Sequence, residues 1–209
     1  MPGATRKTPR RISSDLRRAG ILDAATDLFS RRGFAGATMK QLAKACGITE
    51  PALYRYYSSK EELYAAVLGS VKTRIDVEAF LSELEESDDL SEILSGLAEF
   101  IVSRYTQRRE LSRLLLRCSL DGHSQTGQAF NDLRRPFVDF LARKLRLLQR
   151  RGVIRNVHPV ITARCFIGMV MDCALSQHLW PHLQGALYAP ARIVANNVPI
   201  YVSGLIRKE

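Results

Sequence analysis

Residues 33–68 decide the fold, and they read GFAGATMKQLAKACGITEPALYRYYSSKEELYAAVL. Thr38 and Gln41 have the spacing of a capping box, in which the hydroxyl and the amide each bind an unpaired N–H at the start of a helix. Gly47 suits the tight turn that ends this helix, and Thr49 can cap the next one. Two short helices joined by a glycine-containing turn are the elements of a helix-turn-helix.

A longer helix precedes this pair and another follows it. Apolar residues at helical spacing predict the first helix over residues 15–32, and Gly33 stands where a helix end usually needs a residue of positive φ. The third helix is predicted to end near Tyr57. Ser59 and Glu62 then predict a second capping box, which opens a long fourth helix.

The remainder of the chain also predicts helices. Strand alternation and hairpin turns are nearly absent, whereas apolar residues recur at helical spacing. The acidic stretch 83–92 is predicted to be a surface connection, Pro136 to mark a kink or a helix start, and Pro199 to bend the last helix. The later helices are predicted over 90–105, 111–118, 130–148, 159–180 and 191–206. The fold class is therefore all-α, with an N-terminal three-helix helix-turn-helix domain followed by a helical domain.

The formal net charge of +10 is concentrated near the N-terminus. Residues 1–60 contain twelve basic and four acidic side chains, whereas the rest contains nineteen and seventeen. This distribution indicates a polyanion-binding module joined to a near-neutral one, although RNA or membrane lipid would satisfy the charge as well as DNA does. No uninterrupted apolar run of about 18 residues is found, and no apolar stretch follows the basic start. We therefore expect no membrane span, no secretory signal and a cytoplasmic protein.

The sequence offers little for catalysis or metal binding. His178 and His182 are four residues apart, but Pro181 between them is expected to end the helix, and no acidic partner is near. No nucleophile elbow, P-loop or dinucleotide fingerprint is found. We therefore expect no enzyme, no metal and no cofactor. The cysteines form no CxxC pair and are interpreted as small buried hydrophobes: Cys46, Cys118, Cys165 and Cys173.

Residues 21–68 resemble the DNA-binding domain of TetR/AcrR-type transcriptional regulators. The resemblance rests on fixed-offset matches at Gly33-Phe34, Thr38, Leu42-Ala43, Gly47, Leu53-Tyr54, Tyr57 and Lys60-Glu61-Glu62-Leu63. It implies that the third helix enters the major groove of double-stranded operator DNA with its N-terminal residues against the base edges. It also implies a basic disordered arm at 1–14, a DNA-binding domain at 15–60 and an effector-binding and dimerisation domain at 61–209.

The resemblance implies a DNA-contacting set that the chemistry supports. The set is Thr38, Thr49, Glu50, Pro51, Ala52, Tyr54, Arg55, Tyr56 and Lys60. Thr38 and Lys60 suit phosphate oxygens, Tyr54 and Tyr56 suit the sugar-phosphate backbone, and Arg55 can bind guanine. Thr49 or Ala52 can touch a thymine methyl group. Glu50 and Pro51 depart from the Lys-Gly that is common at these positions, so Glu50 reads a cytosine or only favours the positive helix end.

Several of these residues also have plain structural roles available. Thr38 and Thr49 can be caps alone, Tyr54 can pack between helices, and Tyr57 is expected in the core. The basic arm enters the minor groove or serves as a solubilising tail, with these residues in question: Arg6, Lys7, Arg10 and Arg11.

By resemblance, the helical remainder binds a small molecule and dimerises. A cavity for a small hydrophobic effector is expected among bulky and soft side chains, which would otherwise form a closed core: Phe100, Leu115, Cys118, Phe137, Phe140, Phe166, Met169, Val170 and Cys173. A homodimer is expected through apolar faces of the last two helices: Val160, Ala163, Phe166, Ile167, Val170 and Ala174, with Ile193, Val194, Val198 and Leu205. The predicted function is a repressor that the effector releases from a palindromic operator. The alternative is an architectural or activator protein without an effector.

Overall fold

The computed structural model describes residues 14–74, 76–106, 109–120, 124–179 and 189–207. Within these ranges the chain forms ten helices and one isolated backbone bridge between Ile154 and Ile206. In chain order the helices are α1 Ser14–Gly36, α2 Met39–Ala45, α3 Glu50–Tyr54, α4 Lys60–Arg74, α5 Val77–Leu84, α6 Leu90–Thr106, α7 Arg109–Leu120, α8 Ser124–Arg150, α9 Pro159–Leu179 and α10 Pro190–Leu205. The all-α prediction is confirmed. The basic residues of the predicted arm lie outside the described residues.

The N-terminal helices have the arrangement that the sequence predicts. Gly33 interrupts α1 with φ of 71°, a backbone conformation that costs glycine little because it has no Cβ. Phe34 turns back onto the helix, and its ring centroid lies 5.0 Å from that of Tyr64 on α4 and 6.3 Å from that of Phe29 on α1. This aromatic cluster joins the end of α1 to the first turns of α4.

The start of α4 differs in one detail from the predicted capping box. Ser59 Oγ accepts the Glu62 N–H at 3.1 Å, as predicted. The Glu62 carboxylate, however, accepts the N–H and the hydroxyl of Ser58, each at 2.6 Å. The reciprocal half of the box has therefore moved one residue upstream, because Ser58 offers two donors where a backbone N–H alone offers one.

A short helix, α5, occupies a region in which the sequence predicted none, so the connection to α6 is limited to residues 85–89. Asp76 caps α5 by accepting the Ala79 N–H at 3.2 Å. The half-buried apolar residues Val77, Phe80, Leu81 and Leu84 pack against the main core. Their helical spacing is present in the sequence, directly before the acidic residues that follow.

The second part of the molecule is built around α6, which packs against α7, α9 and α10. α8 lies against α7 and α9, and α7 also packs against α1 in the N-terminal part. The helix α8 continues through Pro136, which therefore does not mark its start. The helix α10 likewise continues through Pro199.

By length and composition alone, α9 contains an 18-residue window, Pro159–Ser176, that is apolar enough to cross a membrane. The window is not an uninterrupted apolar run, because it contains Arg164 and Asp172. The helix packs against α6, α8 and α10, and 44% of the window is buried within the protein. A core helix passes the same test, and α9 has the position of one.

Candidate nucleic-acid interface

The turn between α2 and α3 is tight because Gly47 has a φ of 65°. The Gly47 N–H donates to the carbonyl of Lys44 at 3.2 Å, and the Ile48 N–H donates to that of Ala43 at 3.0 Å. These bonds satisfy carbonyls that the end of α2 would otherwise leave unpaired. The predicted helix-turn-helix is therefore present, with glycine at the position that requires it.

Both predicted threonine caps are present. Thr38 Oγ1 accepts the Gln41 N–H at 3.2 Å, and Gln41 Oε1 accepts the Thr38 N–H at the same distance. Thr49 Oγ1 accepts the Ala52 N–H at 3.3 Å. Each hydroxyl accepts its capping bond and keeps its own O–H to donate. Because both threonines are exposed, capping leaves each free to donate to a DNA oxygen.

One side of α3 is anchored and the other is open. Leu53 is fully buried in the same core as Leu42, which fixes α3 against α2 and α1. On the open side, Tyr54 is 47% exposed, and Pro51 and Arg55 are exposed as well. The remaining residues of the predicted set in this region are half-buried: Glu50 and Ala52 on α3 and Tyr56 just after it. The predicted DNA-contacting residues of this region thus lie at the exposed start of α3 and at and just after its end, on a rigid support.

Tyr57 is buried, as predicted for a core residue. Burial raises the pKa of its hydroxyl, a nearby Arg18 lowers it, and Glu62 and Cys46 add smaller upward contributions. Tyr57 follows α3 and is held by a backbone bond from its N–H to the Leu53 carbonyl at 3.1 Å. This packing fixes the C-terminal side of α3 and leaves Tyr54 as the outward tyrosine.

Lys60 has a structural role that the sequence did not predict. Its ammonium donates to the carbonyls of Phe34 at 3.0 Å and Ala37 at 3.1 Å. It also lies 4.3 Å from the centroid of the Phe34 ring, in cation–π geometry. Two of the three ammonium donors are thus used to join α4 to the end of α1. A phosphate contact from Lys60 would have only the remaining donor.

Two lysines that the sequence reasoning missed are exposed on α2. Lys40 and Lys44 lie four residues apart and therefore on one side of the helix, opposite the buried Leu42. The first helix of a helix-turn-helix crosses the DNA backbone, where such side chains meet phosphates. Their spacing opposite a buried leucine is the pattern that could reveal them.

The predicted effector-pocket residues form two groups. Phe100 stacks on Phe80 with ring centroids 3.8 Å apart and lies 6.0 Å from Phe137, which joins α5, α6 and α8. Phe166 meets Tyr201 edge-on at 5.1 Å between α9 and α10. The other described members are buried or half-buried: Phe140, Met169, Val170 and Cys173. The side chains of Leu115 and Cys118 lie outside the described part of the chain.

A buried hydroxyl group on α6 has no hydrogen-bond partner among the described residues. Tyr105 is 1% exposed, and its Oη bonds to none of the described side chains or backbone groups. Burial away from water raises the pKa of this hydroxyl above its usual range, so it is a neutral donor. A buried donor without an acceptor costs about 1–3 kcal/mol. The carbonyl of Tyr105, in contrast, accepts the Ser112 hydroxyl at 3.1 Å.

The faces predicted for dimerisation are turned inward. Most of the predicted residues on α9 and α10 are buried within the single chain, Val160 is half-buried, and the side chain of Ile193 lies outside the described residues. The opposite faces expose Ile161 at 58% and Ile200 at 59%, together with Cys165. Cys165 is therefore not a buried hydrophobe, whereas Cys173 is buried and Cys46 is half-buried. An apolar stripe identifies the buried side of a helix but not the chain that buries it.

His158 is exposed and accepts the Ile161 N–H at 3.3 Å through Nδ1, which caps α9. The side chains of His178 and His182 lie outside the described residues. In the part of the chain that the structure describes, no three His, Cys, Asp or Glu side chains form a group that could hold a metal ion.

The fold and this interface define a helix-turn-helix DNA-binding regulator with a helical second domain. Residues 21–67 match the family model of the bacterial regulatory proteins of the tetR family. The chain is 26% identical to the HTH-type transcriptional regulator UidR of Escherichia coli K12 over 155 residues, which cover 73% of this chain and 76% of UidR. It is 40% identical to the HTH-type transcriptional activator FasR of Mycolicibacterium smegmatis over 67 residues, which cover 32% and 31% of the two chains.

Among solved structures, the chain is similar to AibR in complex with isovaleryl coenzyme A and operator DNA. The TM-score is 0.70 at 25% identity, over 88% of this chain and 97% of AibR. The family match covers the α1–α4 part of the chain, and the similar proteins named here are transcriptional regulators.

Proposed function

We propose that the chain is a cytoplasmic repressor that binds a palindromic operator as a homodimer and is released by a small hydrophobic effector. The observation that carries the DNA-binding part is the exposed N-terminal turn of α3 on a buried support. In helix-turn-helix proteins this turn lies in the major groove, and dimers read half-sites about one helical turn or a small multiple apart.

The exposed side chains suit distinct contacts. Arg55, at the end of α3, offers the planar fork that binds guanine O6 and N7, and Thr49 and Pro51 are exposed at the start of the same helix. Tyr54 offers a hydroxyl to the sugar-phosphate backbone. Lys40 and Lys44 supply charge where α2 crosses that backbone, so we add them to the predicted contact set.

The effector proposal rests on the aromatic groups of the second domain and on Tyr105. A ligand that inserts beside α6 with a hydrogen-bond acceptor would satisfy the unpaired Tyr105 hydroxyl. The similar structure of AibR holds isovaleryl coenzyme A, whose acyl group is small and apolar and carries a carbonyl. We therefore propose an effector with an apolar body and one carbonyl-type oxygen.

The helix contacts supply a path from effector to DNA. α6 packs against α7, α7 packs against α1, and α1 packs against α4. An effector that displaces α6 or α7 would move α1 and with it the recognition helix. A coupling of about 1–3 kcal/mol, or about 5- to 150-fold in affinity, is enough for a switch.

Activation of transcription is the second candidate. FasR is named an activator and is similar to this chain over the DNA-binding part. Repressor and activator would share the same α2–α3 unit, so only transcription from a promoter with the bound site separates them. An increase on adding the regulator, in place of a decrease, would replace the repressor proposal.

The DNA-binding proposal is tested by selecting bound sequences from a random duplex pool. We expect an enriched palindrome, and we expect Arg55→Ala to relax the preference at one position in each half-site, at a cost of about 1–3 kcal/mol. Arg135→Ala on α8 removes the same charge away from the interface and should leave selection unchanged. Failure to enrich any sequence would contradict site-specific binding.

A further inference from the structure

A cleft of about 660 Å³ opens where the end of α8, the connection 151–158, the start of α9 and the end of α10 meet. The described residues that line it include no acidic one; they include the amide side chains of Gln149 and Asn156 and four arginines, Arg146, Arg150, Arg155 and Arg207. Its volume lies within the roughly 300–1,000 Å³ of small-molecule sites.

The arginines of the cleft differ from the neighbouring basic residues in having no acidic partner. Residues 143–155 carry six basic side chains and no acidic one. On the side facing the α5–α6 connection, Arg143 bonds to Glu85 at 2.8 Å, and Arg151 bonds to Asp88 and holds the pKa of that carboxyl below its usual range. Among the described residues, none of the four cleft arginines makes an ion pair. The concentrated charge is therefore neutralised on one side of α8 and left uncompensated in the cleft.

Backbone hydrogen bonds hold two of these arginines close together, Arg155 before α9 and Arg207 after α10. The Arg155 N–H donates to the Leu205 carbonyl at 2.9 Å, and the Arg207 N–H donates to the Val153 carbonyl at 3.2 Å. The segment after α10 thus pairs with the segment before α9, and both arginines reach the same cleft. Two guanidinium groups held close together repel each other, and an anion bound between them would offset this repulsion.

Gln149 adds an unsatisfied polar atom to the same cleft. Its Nε2 donates to Asn156 Oδ1, and its buried Oε1 has no partner in the described part of the chain. Rotating both amides by half a turn preserves the bond between them and makes the unpaired Gln149 atom a donor. The amide pair can therefore match a ligand donor or a ligand oxygen.

The cleft lies at the far end of the second domain from the DNA-binding part. The Asp88–Arg151 pair places the end of α8 beside the start of α6, whereas the other end of α6 leads to α7, which packs on α1. With 17 residues, α6 is about 25 Å long. A duplex bound by α3 is therefore distant from the cleft.

We propose that this arginine cleft binds a phosphate-bearing small molecule, at a site separate from the apolar interior of the domain. Guanidinium groups bind phosphate oxygens in pairs of parallel hydrogen bonds, and four of them around a concave site of this size suit a diphosphate group with an attached moiety. The proposal does not depend on the identity of the hydrophobic effector.

The test is calorimetric titration of the full-length protein with inorganic pyrophosphate, with citrate as a second anion. We expect saturable binding of one pyrophosphate per chain, stronger than that of citrate. The double variant Arg155→Gln/Arg207→Gln should lose affinity by about tenfold or more, because it removes two guanidinium groups that would make charge-assisted hydrogen bonds to the phosphate oxygens. The control Arg135→Gln/Arg192→Gln removes the same charge elsewhere and should stay within about twofold.

Three results would overturn the proposal. An equal loss in both double variants would mean attraction to the net charge alone, and stronger binding of citrate would mean the wrong ligand class. Displacement of pyrophosphate by a short duplex without an operator would make the cleft a DNA contact. Circular dichroism of each variant confirms its fold, and the single variant Arg146→Gln serves if the double variant does not fold.

Discussion

Lys60 has a structural role in addition to the phosphate contact that the sequence predicts for it. Its two hydrogen bonds to the carbonyls of Phe34 and Ala37 join α4 to α1. We predict that Lys60→Met lowers the free energy of unfolding by about 1–2 kcal/mol, since hydrogen bonds of charged groups are worth about 1.5–3 kcal/mol and this side chain is only half-buried. Urea unfolding measures the change. An unchanged midpoint together with weaker DNA binding would restore the phosphate role.

Lys44 is the matched comparison, because it is exposed and has no described hydrogen-bond or ion-pair partner. We predict that Lys44→Met leaves stability within about 0.5 kcal/mol. It should weaken binding to all DNA sequences alike and reduce the salt slope by about one unit. Fluorescence anisotropy at several salt concentrations provides the slope. A change in sequence preference instead would mean that Lys44 contacts a base.

Tyr105 should show opposite effects on stability and binding. Removing its hydroxyl eliminates a buried donor that bonds to none of the described residues, so Tyr105→Phe should leave the ligand-free protein as stable as before, or more stable by up to about 1–3 kcal/mol. The same change should reduce the stabilisation by an effector that carries an acceptor, measured as the ligand-induced rise in Tm. A large loss of ligand-free stability would indicate a partner that only a different conformation provides.

At the scale of the helix, the start of α4 should respond to pH through Glu62. The Ser58 hydroxyl, and after it the Ser58 N–H, lowers the pKa of Glu62 below its usual value near 4.5, with Arg18 adding to the effect and burial opposing it. A carboxyl with a lowered pKa in the folded state stabilises at pH above its unfolded value and loses this contribution as pH falls through the folded value.

We therefore predict that Glu62→Gln is less stable than the natural sequence at neutral pH and that this difference shrinks below about pH 4.5. Thermal unfolding between about pH 7 and 3 measures it. Glu99→Gln, which removes an exposed carboxylate on α6 with no described partner, should show a difference that does not change in this way. A constant difference for Glu62→Gln would mean that the ionised carboxylate does not cap α4.

The sequence identified most helices because local chemistry decides them. Caps at Thr38 and Thr49 and the turn at Gly47 act within four residues, so the residues themselves reveal them. The contact of Lys60 with Phe34 joins residues 26 apart and depends on how α1 and α4 cross. No local sequence pattern predicts how α1 and α4 are oriented relative to each other, so the structural role of Lys60 could not be predicted.

At the scale of the whole molecule, local sequence patterns likewise do not predict which helix faces the proposed homodimer would use. An apolar stripe is equally suited to the core of one chain and to an interface, and in α9 and α10 the main stripes are used inside the chain. The exposed Ile161 and Ile200 remain on the opposite faces. The homodimer that we propose would therefore use these faces.

We predict that Ile161→Asp/Ile200→Asp converts the dimer to a monomer at micromolar concentration, because each change would bury a charge in an apolar interface. Sedimentation measures the mass. Leu16→Asp, at an exposed site on α1, should leave the dimer intact. A natural protein that sediments as a monomer would remove the proposed arrangement of two recognition helices on one operator.

The Lys60 contact also joins the end of α1 rigidly to α4, so α1–α3 and α4 move together. With the Phe34 and Tyr64 rings packed beside it, the end of α1 cannot swing independently of the first turns of α4. With 15 residues, α4 is about 22 Å long. A rotation of α4 by about 10° about its C-terminal end therefore moves α1–α3 by about 4 Å. That is comparable to the rise of one base pair. Small rotations of α4 would therefore suffice to change the separation of the two α3 helices in the proposed homodimer, so that they no longer match successive major grooves.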